Sequence, residues 1–228
     1  MDDSDASNRR SFVVLLGGEI RDIASIGAIP SDATVIAADS GLHLADPLGL
    51  SVSTVVGDMD SVDATALAAV EALGTQVLRY SADKDASDAE LALSHAAALG
   101  ATNITVIAGR SSRLDHELGN FAVLFLDELR SRRVELRVAG ARVFPLDARD
   151  GGGASLRIPC TSGDIVGVLP FGGDAHGVTT RGLRWALSNE LLAVNSSRGI
   201  SNRAVGSDVH VAVESGRLLV TVTSGSES

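Results

Sequence analysis

Short β-branched runs alternate with alanine-rich stretches through the first two thirds of the chain, and this alternation restricts the fold more than any other feature. The runs fall at residues 12–16, 34–38, 53–56, 76–79, 104–108 and 134–138. Continuous apolar runs of that length suit strands buried on both faces, the usual state of a parallel sheet. Between them, residues 63–73, 87–99 and 115–130 read as helices. Ser87 can cap the second of these, Glu90 stands three residues on in capping-box register, and Gly100 follows as a stop. Strand and helix in alternation predict an α/β domain over residues 11–149, a mostly parallel sheet with flanking helices and right-handed crossovers.

The pattern changes after Arg149. Asp150 and the three glycines behind it read as a linker or wide turn. The runs that follow, at 155–158, 164–169, 183–187, 191–194, 209–214 and 218–222, are short and separated by Gly, Pro and Asp. No helical period appears there, which predicts a smaller all-β domain, a sandwich or barrel, over residues 154–223. The tail 224–228 is expected to be disordered.

Composition narrows the function. The apolar fraction of 45% excludes wholesale disorder. With aromatics at 3%, both cores must be built from Val, Leu, Ile and Ala. Nineteen basic against 29 acidic residues leave a net charge of -10, which argues against nucleic acid as a partner, since such binders present a basic face. Lys84 is the one lysine, so no Walker-type lysine stands elsewhere. Cys160, alone, can form neither an internal disulfide nor a zinc site, and reads as a small buried hydrophobe. Residues 1–10 are polar and acidic with no apolar h-region, and no run of about 18 apolar residues exists. A cytoplasmic protein without a membrane partner is expected.

The aspartates carry the functional signal. The run at 34–38 ends in Asp39, and that at 53–56 in Gly57, Asp58, Met59 and Asp60. The run at 76–79 is followed by Asp83, Lys84, Asp85, Ser87 and Asp88, and that at 104–108 by Gly109, Arg110, Arg113, Asp115 and His116. Ligands of open α/β sheets bind beyond the carboxyl ends of the strands. Four consecutive strands thus deliver acids, then arginines, to one edge. So many carboxylates repel one another unless cations neutralise them. Hard divalent cations with oxygen ligands do so, and Mg2+ typically adds substrate phosphates to one or two carboxylates. Arg110, Arg113 and Lys84 suit the remaining phosphate charge. These parts fit metal-assisted phosphoryl or diphosphoryl transfer. Singly, each Asp reads as well as a turn residue or helix cap, Asp88 and Asp115 above all.

In order, Ala38-Asp39-Ser40-Gly41, Gly57-Asp58-Met59-Asp60-Ser61, the stretch from Asp83 through Ser87 and Asp88 to Glu90, Gly109-Arg110, and Arg113-Leu114-Asp115-His116 through Gly119-Asn120 resemble the motifs of thiamine pyrophosphokinases. Arg181-Gly182-Leu183-Arg184-Trp185 and Gly199-Ile200-Ser201-Asn202 are similar to that family's C-terminal pattern. The resemblance implies Mg-dependent transfer of diphosphate from ATP to thiamine, giving thiamine diphosphate and AMP. It also implies an α/β catalytic domain, a β-sandwich thiamine-binding domain, and a homodimer with sites at the subunit interface. By the family's pattern Asp39, Asp58, Asp60, Asp83, Asp85 and Asp88 hold Mg2+ and the nucleotide phosphates. Of these, Asp58, Asp60, Asp85 and Asp88 are expected on the metal, with Asp58, Asp60, Asp88 and Arg113 in the catalytic role. Lys84, Ser87, Arg110, Asp115, His116 and Asn120 complete the nucleotide pocket, and Trp185, Ser201 and Asn202 line the thiamine pocket. Ser40 replaces a usual Gly.

Trp185 reads equally as core packing. Phosphatases with an aspartyl nucleophile also use Asp-x-Asp, but their nucleophile follows the first strand, where this chain has Gly17-Gly18-Glu19. A diphosphokinase for another heterocyclic alcohol, such as a hydroxymethyl pterin, and a non-catalytic Mg-ATP-binding domain remain as alternatives.

Overall fold

The structure, a computed structural model, describes residues 10–225. Nearly all of the polar N-terminal stretch and the last three residues of the expected disordered tail lie outside them. Gly225, within that tail, donates its N–H to Asp164 Oδ1. Two compact units are present, one ending at Ala139 and the other starting at Gly140.

The first unit contains β1 (Ser11–Leu16), β2 (Thr34–Ala38), α1 (Ala45–Leu48), β3 (Thr54–Gly57), α2 (Ala64–Ala72), β4 (Gln76–Arg79), α3 (Asp88–Ala98), β5 (Asn103–Ala108), α4 (Leu114–Ala122) and β6 (Arg133–Val138). All six strands pair in parallel, in the order β6-β5-β1-β2-β3-β4. The chain works outward from β1 to β4 and then returns to the other side of β1. The chain thus leaves β1 and β5 toward opposite edges of the sheet, and the carboxyl ends of these two neighbouring strands are the switch point where ligands of such sheets bind. Val13, Leu15, Val35, Ala37 and Val55 pack on one face with Leu42, Leu44 and Leu67. On α3, Ala92, Leu93, Ala96 and Ala97 are buried, and the helix packs against β1, β2 and β3. Asp63 caps α2 through Ala66 N–H, and Ser87, as expected, caps α3 through Glu90 N–H.

The helix expected over 115–130 is a correction. It ends at Ala122, continues as two 3-10 turns (Val123–Phe125 and Asp127–Leu129), and is broken by extended backbone at Leu126. Burial of Leu124, Phe125 and Leu129, with both turns packed against α3, overrides a sequence that is locally helical. Among the described residues no helix is long and apolar enough to cross a membrane.

The second unit contains β7 (Ala141–Ala148), β8 (Ala154–Pro159), β9 (Ile165–Pro170), β10 (Ala175–Arg181), β11 (Glu190–Leu192), β12 (Asn202–Arg203), β13 (Asp208–Val213) and β14 (Gly216–Thr223). Within it, β12-β9-β14-β7 and β11-β10-β13-β8 are antiparallel arrays. Their inward residues, among them Leu146, Ile158, Val168, Val178, Val211 and Val220, share one core, which makes the sandwich. β7 pairs with β14 along its whole length, so residues 141–148 belong here. Of the two readings of Asp150–Gly153, a linker or a wide turn, the structure shows the turn, from β7 to β8 inside this unit. The expected strand at 183–187 is reduced to a single bridge, Leu183 with Ala204. Cys160 packs partly buried against the core, and burial pushes its thiol up.

Candidate metal and nucleotide site

The loops after β1 and β5 touch. A Cβ on Gly109 would lie 2.1 Å from the Gly18 carbonyl carbon, and Gly18 sits at φ +111°. Only glycine permits that approach. Glu19 and Arg110 then exchange backbone hydrogen bonds of 3.0 and 2.9 Å, which fixes the two loops to each other. Beside this junction opens a cleft of about 800 Å³. Asp39, Lys84, Ser87 and Asp88 line it on the acidic side; Arg110, Arg113, Asp115, His116 and Asn120 line it on the other.

Local backbone explains the acids. Asp39 opens a 3-10 turn directly after β2 at φ +44°, which turns its carboxylate inward; the residue is 8% exposed. Met59 stands at φ +67°, so Asp58 and Asp60 fall on the same side of the bend. Asp58 Oδ1 accepts the Asp60 N–H at 3.1 Å, and Ser61 Oγ donates to Asp60 Oδ1 at 2.8 Å. Carboxylate oxygens of Asp39, Asp58 and Asp60 all lie within 4.8 Å of one another. Gly57 makes room for the group: a Cβ there would stand 3.1 Å from Asp39 Cβ and 3.2 Å from Asp88 Oδ1.

Lys84 reaches back from the loop between β4 and α3, with its Nζ 3.4 Å from Asp58 Oδ2 and 3.1 Å from Asp88 Oδ1. Asp88 Oδ1 is an ion-pair partner there without a well-directed hydrogen bond, and Asp39 Oδ1 is buried with no hydrogen-bond partner. Burial holds the Asp39 carboxyl above the usual range, and the charges of Asp88 and Asp58 add to that. Asp58 is held below the range by the Asp60 N–H and by Lys84. Burial works against the Lys84 ammonium, but Asp88 and Asp58 outweigh it and raise its pKa. One ammonium among four carboxylates leaves net negative charge and an orphaned buried oxygen. Three convergent carboxylates fit a hard divalent cation with oxygen ligands.

The expected residues divide as follows. Asp58 and Asp60 converge, and Asp39, expected on the nucleotide, joins them. Asp88 lines the cleft together with Asp39, which Asp58 and Asp60 adjoin without lining it, and is paired with Lys84. Asp83 and Asp85 are exposed and stand outside both the carboxylate group and the cleft lining. Arg113 and Asp115 form a two-point ion pair, with Nη2 to Oδ2 at 2.6 Å, which raises the guanidinium and lowers the carboxyl. Gly17 and Gly18 also line the cleft, a part of the site beyond the residues the sequence points to, and the Gly-Gly step after the first strand is the signal for it. Ser40 Oγ fills the space a Cβ on Gly17 would occupy, so these two loops are also closely packed.

In the second unit Trp185 is 56% exposed, which removes the core-packing reading, and the Arg184 guanidinium lies 5.0 Å from its ring centroid. Asn202 is buried. Its Oδ1 accepts from the N–H groups of Trp185 at 3.1 Å and Arg203 at 2.9 Å, and its Nδ2 donates to the Trp185 carbonyl at 2.7 Å. Ser201 is exposed at φ +57°.

Two family models match the chain: "Thiamin pyrophosphokinase, catalytic domain" over residues 28–136 and "Thiamin pyrophosphokinase, vitamin B1 binding domain" over residues 155–218. Thiamine pyrophosphokinase 3 of Oryza sativa subsp. japonica is 26% identical over 179 residues, covering 76% of this chain and 62% of the rice protein. The chain thus spans under two thirds of that relative's length. Thiamine pyrophosphokinase of Bacillus subtilis is 23% identical over 201 residues, covering 87% of this chain and 91% of the relative. The fold is that of the solved thiamine pyrophosphokinase from Bacillus subtilis, with TM-score 0.78, 20% identity, and coverage of 94% of this chain and 99% of that one. Thiamin pyrophosphokinase from Candida albicans superposes at TM-score 0.73 with 13% identity, covering 94% of this chain and 88% of that one. An α/β unit with acids at its strand ends, followed by a β-sandwich, defines the class. The chain belongs to the thiamin pyrophosphokinase family.

Proposed function

We propose that the protein is a thiamine pyrophosphokinase, which transfers the diphosphate of ATP to the hydroxyethyl oxygen of thiamine and releases AMP. The observation that carries this reading is the convergence of Asp39, Asp58 and Asp60 on one small space beside an arginine-lined cleft. Those three carboxylates are the ligands we assign to Mg2+, with Asp88 facing them. When bound, the ion supplies positive charge to the donor's phosphate oxygens. Arg110 offers a guanidinium fork to the same phosphates, and Arg113, whose Nε and Nη2 are held by Asp115, offers the edge of its guanidinium that Asp115 leaves open. His116, Asn120 and Ser87 offer hydrogen bonds along the wall.

The thiamine hydroxyl oxygen forms a bond to the β-phosphorus, the bond from that phosphorus to the oxygen of AMP breaks, and the hydroxyl proton passes late to a carboxylate of the aspartate group. A loose transition state needs little from a base, so positioning and charge do most of the catalysis. Trp185 offers an aromatic face to a cationic heteroaromatic, and Asn202 sets its backbone. Under the same reading the protein works in the cytoplasm as a homodimer whose sites are completed at the subunit interface. The match of residues 155–218 to a vitamin B1 binding domain favours thiamine over a pterin alcohol.

The test supplies ATP and Mg2+ and follows AMP by chromatography. Thiamine should release AMP and thiamine diphosphate in equal amounts, and a hydroxymethyl pterin should not. ATP consumption that ignores thiamine would refute the reading.

A further inference from the structure

Lys84 occupies a place that neither phosphate recognition nor simple charge balance accounts for. Its ammonium is paired with two carboxylates although the residue lines the same cleft as Arg110 and Arg113. It lies between Asp58, which follows β3, and Asp88, which opens α3, at 3.4 and 3.1 Å. The side chain is 16% exposed, and Asp58 to the same degree. Lys84 thus bridges an acid that follows β3 and one that opens α3, while the more buried Asp39 keeps an oxygen with no partner. A lysine is a compact point charge on a flexible stem, able to hold carboxylates in one state and phosphate oxygens in another.

We propose that Lys84 is a placeholder cation that couples metal binding to donor binding. Without metal it clamps Asp58 to Asp88. A divalent cation taken up by Asp39, Asp58 and Asp60 competes for Asp58 and repels the ammonium, which is then free to turn into the cleft it already lines and meet the donor phosphates. Metal alone must displace Lys84 and binds weakly; metal with nucleotide gains Lys84 as a phosphate ligand and binds tightly. Coupling of this kind is reciprocal, so each ligand strengthens the other by the same factor. The inference rests on the metal reading above.

Mn2+ serves as the probe, its free concentration read by electron paramagnetic resonance, with and without a non-hydrolysable ATP analogue, so no turnover is needed. Lys84→Gln should bind Mn2+ alone roughly three- to tenfold more tightly than the wild type, in keeping with the loss of two partly exposed ion pairs. It should also lose most of the tightening that the nucleotide produces. Lys84→Arg keeps the charge and should stay near the wild type in metal-only affinity, which guards against a Gln variant that merely loosens the loop. Melting curves supply a second readout: Mn2+ should stabilise Lys84→Gln more than it stabilises the wild type. If Lys84→Gln binds Mn2+ alone with unchanged or weaker affinity, or keeps the nucleotide's full effect, the placeholder role is wrong while the metal site stands. If no variant, nor the wild type, binds Mn2+, both readings fall.

Discussion

Asp39 and Asn202 are both more than nine-tenths buried, at 8% and 5% exposure, yet the two units provide for them in opposite ways. Asn202 spends its amide on three backbone groups, two of them on Trp185. Asp39 stands on a left-handed turn with one oxygen unmatched and two further carboxylates nearby. A buried polar group is normally paired, because leaving it unpaired costs about 1–3 kcal/mol. The satisfied residue is therefore a fastening, which sets a loop. The unsatisfied one marks where the fold is incomplete without a ligand. In this reading the α/β unit gives up stability at its strand ends to hold a cation, whereas the sandwich fixes its aromatic loop in advance.

The largest effect expected from this contrast concerns the acids. Asp58→Asn or Asp60→Asn should lower turnover on the order of a thousandfold or more, with far-UV circular dichroism unchanged, since each removes a metal-facing charge from an over-acidic group. Near-normal turnover in both would put the cation elsewhere. Arg113→Ala comes next. It should raise KM for ATP roughly tenfold or more and leave KM for thiamine nearly unchanged, because a guanidinium suits phosphate and not a cationic acceptor. Equal losses for both substrates would remove Arg113 from the donor side. On the other half of the comparison, Asn202→Ala should cost about 1–3 kcal/mol in denaturant unfolding, by leaving the Trp185 N–H and carbonyl unpaired. It should also shift Trp185 fluorescence, and a spectrum identical to the wild type would mean the loop does not depend on that amide.

Much of this was legible in the sequence, and what was hidden has identifiable causes. Four of the parallel strands, β1, β2, β3 and β5, appear as runs because both faces are largely buried, whereas β4 and β6 are partly exposed and show shorter or more polar runs; α3 appears because Ser87, Glu90 and Gly100 mark its ends. β7 is hidden in the sequence because Arg142, Pro145 and Asp147 interrupt its apolar pattern, and β10 because Ala175–Arg181 has no run at all. The residues after Ala122 look helical, and only packing of Leu124, Phe125 and Leu129 breaks them. At the site, strand ends and acid spacing located the edge. They could not rank Asp39 above Asp85, because the ranking depends on a positive φ at Asp39 and on the space left by Gly57.

The smallest effect is also the most direct test. Because the Asp39 carboxyl titrates above its unfolded value, its contribution to stability is fully present below that unfolded value and is lost as pH rises through the folded one. With chelator at neutral pH, Asp39→Asn should therefore melt roughly 2–4 °C above the wild type, an advantage that shrinks as the pH falls into the ordinary carboxylate range. With saturating Mg2+ and a non-hydrolysable ATP analogue the order should reverse, because the wild type gains ligand stabilisation that the variant has forfeited. A crossing of the two melting temperatures between chelator and metal is the predicted result. Asp39→Asn melting below the wild type in both conditions would show that Asp39 is a fastening like Asn202, and would contradict the account.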